Sequence, residues 1–172
     1  MELKPLYIKV LPKLNETGSC DKVQGVMPLA SIDVGFRHFT VSEGIAYDVS
    51  LVNTSEAVLV SGKATALLAT PCDRCLEDTE LSLSGEIQGY YLFDPIDAPG
   101  TEQLEVYEMV DTEGRIDLAP PILAAIVYEL PPVTHCRSDC EGIPLEAIED
   151  ADPVGIEKEN PFAALKDFKF DQ

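Results

Sequence analysis

A chain of 172 residues, 45% of them apolar, is long enough to bury a substantial core, so neither metal nor disulfides are required for it to fold. Its 31 acidic and 12 basic side chains leave a formal charge of −19, which repels phosphate backbones and favours either a basic partner or plain solubility. Residues 1–20 hold no apolar core of signal-peptide length, and the longest apolar run, Pro120 to Tyr128, is far too short to span a bilayer; the expectation is a cytoplasmic protein without membrane contact.

In chain order, Leu6, Ile8 and Val10 predict a strand between Pro5 and Pro12, and Ile32, Val34 and Phe36 predict another. Cys20, in a stretch rich in Gly, Ser and Asp, reads as incidental. Ile45, Tyr47, Val49 and Leu51 alternate with Ala46, Asp48, Ser50 and Val52, a period of two that puts one apolar face on a core. Val58 and Val60 continue toward Ala64, Ala66 and Leu68, with Gly62 marking a bulge or bend. Leu81, Leu83, Ile87, Tyr91 and Phe93 share the next parity. Turns at Asn53–Glu56 and across Cys72–Asp78 separate these runs, as expected of antiparallel neighbours. Leu104, Val106 and Val110 form a weaker strand signal.

One helix is strongly signalled, over about residues 117–130. Asp117 can cap it, Pro120 and Pro121 sit early where amide donors are not needed, and Pro131-Pro132 stops it. Leu118, Ile122, Ile126 and Leu130 recur every four residues. A short C-terminal helix is expected from Asn160-Pro161, carrying Phe162 and Leu165 inward. The fold class is therefore α+β: an antiparallel β-sheet from roughly the first 110 residues, with barrel-like closure as one option, one main helix and a short C-terminal one. Residues 1–140 are expected to form a single β-rich domain, and residues 141–172 an acidic tail.

Charge is unevenly spread. Eleven acidic residues and no Lys or Arg lie between Glu77 and Glu113, and seven acidic residues accompany Lys158 alone between Cys140 and Asn160. Glu77, Asp78, Glu80, Glu86, Glu105 and Glu108 in the first stretch, with Glu146, Glu149 and Asp150 in the second, are candidate contacts for a basic partner.

Four of the five cysteines fall in two close pairs, Cys72-Asp73-Arg74-Cys75 and Cys136-Arg137-Ser138-Asp139-Cys140. Two such pairs can present four thiolates to one tetrahedral ion, zinc by preference, and so tie the middle of the chain to its later part. Arg74 and Arg137 could offset the excess negative charge of such a site, and His135 could replace a sulfur out of reach. The alternatives are a redox dithiol, small core residues that never meet, and disulfides. A thioredoxin-like dithiol belongs at a helix start in a βαβ unit, which this β-rich region lacks.

Cys-Asp-Arg-Cys-Leu-Glu at 72–77, the helix from Ile116-Asp117-Leu118 to Glu129-Leu130-Pro131-Pro132, Cys136-x-x-x-Cys140-Glu-Gly, and Asn160-Pro161-Phe162-Ala163-Ala164-Leu165 occur in a recognisable order. This order resembles the YceD family, the large ribosomal RNA subunit accumulation proteins. The resemblance implies a part in accumulation of large-subunit ribosomal RNA, and family members are often encoded beside a large-subunit ribosomal protein. Many members carry two further cysteines after the second pair; here Pro144 and Ala147 stand in those places. A site needing them is lost, and one built from Cys72, Cys75, Cys136 and Cys140 survives.

No Ser or Cys nucleophile has an evident His and acidic partner, and no phosphate-cradling glycine loop is present, so no enzymatic activity is expected. His38 reads as a structural or surface residue. The expected function is a non-enzymatic factor in large ribosomal subunit biogenesis that binds a basic ribosomal protein or assembly factor. Two other readings stand beside it: a zinc- or thiol-dependent redox or metal-handling protein, and a direct RNA-binding module. The latter needs a basic face assembled from Arg37, Lys63, Arg74, Arg115 and Arg137.

Overall fold

The computed structural model describes residues 3–11, 13–94 and 108–143. Eight strands and one helix occur there: β1 (Tyr7–Lys9), β2 (Cys20–Met27), β3 (Ser31–Val34), β4 (Arg37–Asn53), β5 (Ala57–Pro71), β6 (Asp78–Leu92), β7 (Glu108–Met109), β8 (Arg115–Asp117) and α1 (Ala119–Tyr128). The main sheet runs β2-β4-β5-β6-β7, antiparallel except for the short parallel β6–β7 pairing. It is open, with β2 and β7 at its two ends, so barrel-like closure does not hold. Alternation tells which face of a strand is buried, but it is blind to whether the end strands meet. The predicted C-terminal helix lies outside the described residues, as do Leu104 and Val106 of the weaker strand.

The three long strands follow their sequence parity. Even-numbered residues of β5 (Val58, Val60, Ala64, Ala66, Leu68) and odd-numbered residues of β4 and β6 (Tyr47, Val49, Leu51; Ile87, Tyr91) are buried on one face. The opposite face carries Asp48, Lys63 and Glu86 in one cross-strand row. β4 serves two partners along one edge, β3 opposite Arg37–Thr40 and β2 opposite Ile45–Val52. The two halves are separated by a register shift between Val41 and Ile45, where Gly44 takes φ +82°. The bulge expected at Gly62 is absent, and pairing is continuous there on both sides. Gly62 has a different reason: a Cβ at this position would fall 2.1 Å from the Asp48 carbonyl oxygen. Phe36 is not part of a strand. It sits in the β3–β4 turn after Gly35 (φ +61°) and is 98% exposed.

The helix lies on the buried face and is aimed at the cysteines. Asp117 Oδ1 accepts from Ala119 N–H (3.0 Å) and from Leu6 N–H (2.7 Å). The carboxylate thus steadies the helix entry and binds it to β1, although Leu118 rather than Asp117 occupies the cap position. Pro120 and Pro121 fill the first turn, as expected. Leu118, Ile122 and Ile126 are fully buried, each contributing about 2 kcal/mol from apolar burial. Pro121 faces Gly89 near the end of β6, and the Ala125 carbonyl sits over Gly85, nearer its start. The helix therefore runs back along β6 toward the β5–β6 turn, and Pro131-Pro132 releases the chain there.

Candidate metal centre

The β5–β6 connection is the Cys72–Glu77 turn. Cys72 N–H donates to Glu77 O (2.8 Å), Leu76 N–H donates to Cys72 O (3.0 Å), and Leu76 takes the left-handed conformation that closes the loop (φ +65°). The segment after the helix docks against this turn through paired backbone and side-chain bonds. Asp73 N–H donates to Thr134 O (2.9 Å), and Thr134 N–H returns to Asp73 Oδ2 (2.6 Å). Arg74 Nη1 donates to Cys140 O at 2.9 Å.

This docking brings together all four paired cysteines. Their sulfurs lie within 4.8 Å of one another, with Cys75–Cys136 at 3.6 Å and Cys72–Cys140 at 3.9 Å. A tetrahedral ion with metal–sulfur bonds of about 2.3 Å requires sulfur separations of ~3.8 Å. The two measured distances bracket that value. A disulfide requires about 2.05 Å, and all five cysteines are free. Cys72 and Cys140 are buried, and Cys75 and Cys136 are half-buried. The sulfurs thus form a half-buried cluster of a size and softness suited to a thiophilic divalent cation. Cys72 lies in a hairpin turn, not at a helix N-terminus, and so lacks the setting of a thioredoxin-like nucleophile.

The thiols are electrostatically unequal. Backbone N–H groups of Cys75 and then Arg74 point at the Cys72 sulfur and bring its pKa down to about 6, against the opposing effect of burial. The Glu77 amide acts to lower Cys75, but burial and three neighbouring sulfurs outweigh it and push that thiol up to about 12. Burial likewise raises Cys136. Cys72 is thus biased toward the thiolate, and Cys75 and Cys136 toward the protonated thiol.

Arg37 was not among the metal-site residues suggested by sequence, yet it clamps the docked segment. Its guanidinium donates to Pro131 O (2.6 Å) and Thr134 Oγ1 (2.5 Å), pairs with Asp73 (3.3 Å), and stacks 4.9 Å over the Phe39 ring. Its side chain is only 14% exposed. Arg37→Ala is expected to cost about 2–3 kcal/mol in urea unfolding, because a buried hydroxyl and a carbonyl lose a charged donor. Arg37→Lys should recover less than half, since an ammonium cannot reproduce the planar fork. In both variants, metal transfer to a chelator should quicken.

The remaining candidates are dispersed. Arg74 reaches the cysteine cluster, but Arg137 turns to Asp139 (3.4 Å) on the surface. Lys63 stands on the open sheet face opposite Asp48 and Glu86, and Arg115 pairs with Asp111 and Glu113. The five cations of the RNA-binding reading therefore do not share one face. His135 is exposed and outside the sulfur cluster, and His38 is a surface residue bonded to Asp33. Glu77 and Asp78 flank the cysteine turn, Glu80 and Glu86 project from β6, and Glu108 lies in β7 beside Tyr91. Burial raises the Glu108 carboxyl. Glu105, Glu146, Glu149 and Asp150 lie outside the described residues, as do Pro144 and Ala147.

The profile of the large ribosomal RNA subunit accumulation protein YceD matches residues 60–169, which include both cysteine pairs and the helix between them. The chain belongs to the YceD family. An uncharacterized protein of Mycobacterium leprae is 31% identical over 144 residues, covering 82% of this YceD-family chain and 65% of the relative. Uncharacterized proteins of Mycobacterium bovis and Mycobacterium tuberculosis are each 32% identical over 113 residues, covering 64% of the chain and 54% of the relatives. The chain thus spans between about half and two thirds of the length of these curated relatives. No solved structure gives a significant match. Among the described residues, no helix is long and apolar enough to cross a membrane.

Proposed function

We propose that this YceD-family chain is a non-enzymatic factor in large ribosomal subunit biogenesis that holds a basic ribosomal protein or assembly factor on its acidic surfaces. In this reading, Cys72, Cys75, Cys136 and Cys140 hold a structural zinc ion. The observation that carries it is the family match over residues 60–169 in a chain of charge −19. A body of that charge pays a repulsive penalty on polyphosphate and gains attraction toward cationic protein. Lys63 and Arg115 lie away from Arg37, Arg74 and Arg137 at the cysteine end and are matched with carboxylates, which supports protein over RNA as the partner. The set of four sulfurs supports a structural role for the ion, since four protein donors fill a tetrahedral sphere.

Binding to purified large-subunit ribosomal proteins, titrated from about 50 to 300 mM salt, tests the reading. At least one basic protein should bind at low salt and weaken as salt rises. No binding at low ionic strength, or tighter capture of bare ribosomal RNA at physiological salt, overturns it.

A further inference from the structure

β6 is paired with β5 over its whole length, but its other edge is paired only at Tyr91 and Leu92 among the described residues. The direction of its main-chain groups follows from two bonds. Phe93 N–H donates to Glu56 O on the β5 side, whereas Leu92 C=O accepts from Val110 N–H on the opposite side. Register with β5 is unbroken, so the amides and carbonyls of Glu80, Ser82, Ser84, Glu86 and Gln88 all face the second edge. A long row of this kind is a template for another strand, and proteins usually blunt it with lysine, proline or a bulge. None of these occurs in β6. Its flanking charges are Asp78, Glu80 and Glu86, and Lys63, opposite Glu86, is the only cation on the β5–β6 ladder.

A groove of about 630 Å³ is walled by β6 and α1 and lined by Leu59, Gly89, Glu108, Pro121, Ala124 and Tyr128. Tyr128 is 86% exposed although it ends a helix whose other face is fully buried. An open main-chain edge beside an apolar slot is the combination by which sheets capture extended peptides: backbone bonds give affinity, and alternate side chains enter the slot. Charge selects the occupant. A second copy would set carboxylate against carboxylate, and residues 95–107 of this chain carry Asp97, Glu102 and Glu105 with no cation.

We propose that the edge of β6 left unpaired among the described residues receives an extended, lysine- or arginine-bearing segment of a partner protein as an added strand, with an apolar side chain of that segment in the groove beside α1. This rests on the basic-partner reading and names how the partner is held. The test uses the full chain and an acetylated peptide alternating lysine and valine over about eight residues, a usual strand length. Binding is followed by fluorescence anisotropy. A copy N-methylated at alternate amides keeps its charge but loses main-chain donors, and should bind at least about tenfold more weakly. Ser84→Pro removes one edge-facing donor without touching the β5 ladder and should have a comparable effect. The N-methylated peptide keeps the test intact if that variant fails to fold.

Equal binding of the plain and N-methylated peptides would overturn the edge proposal while leaving the basic-partner reading in place. No binding of either at low salt would count against both this proposal and that reading. Tighter binding of a peptide copying residues 158–170 would assign the groove to this chain's own closing segment and overturn the proposal.

Discussion

Cys72→Ser is expected to abolish stoichiometric zinc and to lower stability by on the order of 4 kcal/mol, the range associated with loss of a structural metal. Cys136→Ser should do the same, although it lies in the other pair. Elemental analysis of the purified chain should give one zinc in the parent, none in either variant, and one in Cys20→Ser, because Cys20 is exposed on β2 and outside the cluster. The cost arises because the ion would stand between two segments that, among the described residues, are held together by hydrogen bonds of Asp73, Arg74 and Arg37. Removing one sulfur leaves three thiols crowded around an unfilled centre. Acid should act in the same direction. Cys72 is held down near 6, so at neutral pH it already offers a thiolate, whereas Cys75 and Cys136 are held up and must release protons to bind. A depressed thiol stabilises the fold above its ordinary pKa and loses that contribution as pH falls through about 6. Zinc retention should therefore weaken as pH falls, because protons compete with the ion for all four sulfurs. Retention of metal by both serine variants would show that the two pairs do not share one ion.

Gly85→Ala should be among the most damaging single-methyl substitutions in the sheet, alongside Gly62→Ala. A Cβ there would lie 2.0 Å from the Ala125 carbonyl oxygen and 2.6 Å from its carbon. The obstacle is helix backbone, which cannot rotate away, so α1 must lift from β6. We expect a loss of about 3 kcal/mol in urea or thermal unfolding, the upper part of the range for overpacking. Gly89→Ala provides the contrast: its nearest neighbour is the edge of the Tyr91 ring at 3.1 Å, and about 1 kcal/mol is expected. The effect of Gly85→Ala should also extend beyond the helix. Because α1 delivers Pro131–Cys140 to the cysteine turn, a lifted helix misplaces Cys136 and Cys140, and the variant should bind zinc more weakly. A stability change below about 0.5 kcal/mol would mean that the helix is not seated as described.

The long strands were legible because their side chains obey strict parity against a buried face, and the helix because proline marks both its ends. Spacing allowed the cysteine cluster but left a redox dithiol, cysteines that never meet and disulfides open beside it. What escaped had no local signal. β2 pairs along β4, but up to Met27 its residues alternate between exposed and half-buried, so its apolar contrast is faint and no strand was expected there. The break in β4 lies in Ser42-Glu43-Gly44, within a run whose parity is unchanged across it, since two extra residues restore the phase. Arg37 could not be recognised as a clamp, because two of its partners stand more than ninety positions away and one of them is a main-chain carbonyl. Sheet closure depends on the meeting of end strands, which no pattern within a strand encodes.

Cys75 and Cys136 meet across 61 positions of sequence. At synthesis rates of about 5–20 residues per second, the first pair waits roughly 3 to 12 seconds for its counterpart to be polymerised. In that interval a nascent chain offers half a coordination sphere, open to oxidants and to ions that favour two ligands. Correct maturation then depends on the helix docking before the waiting pair is oxidised or captured by another thiol ligand.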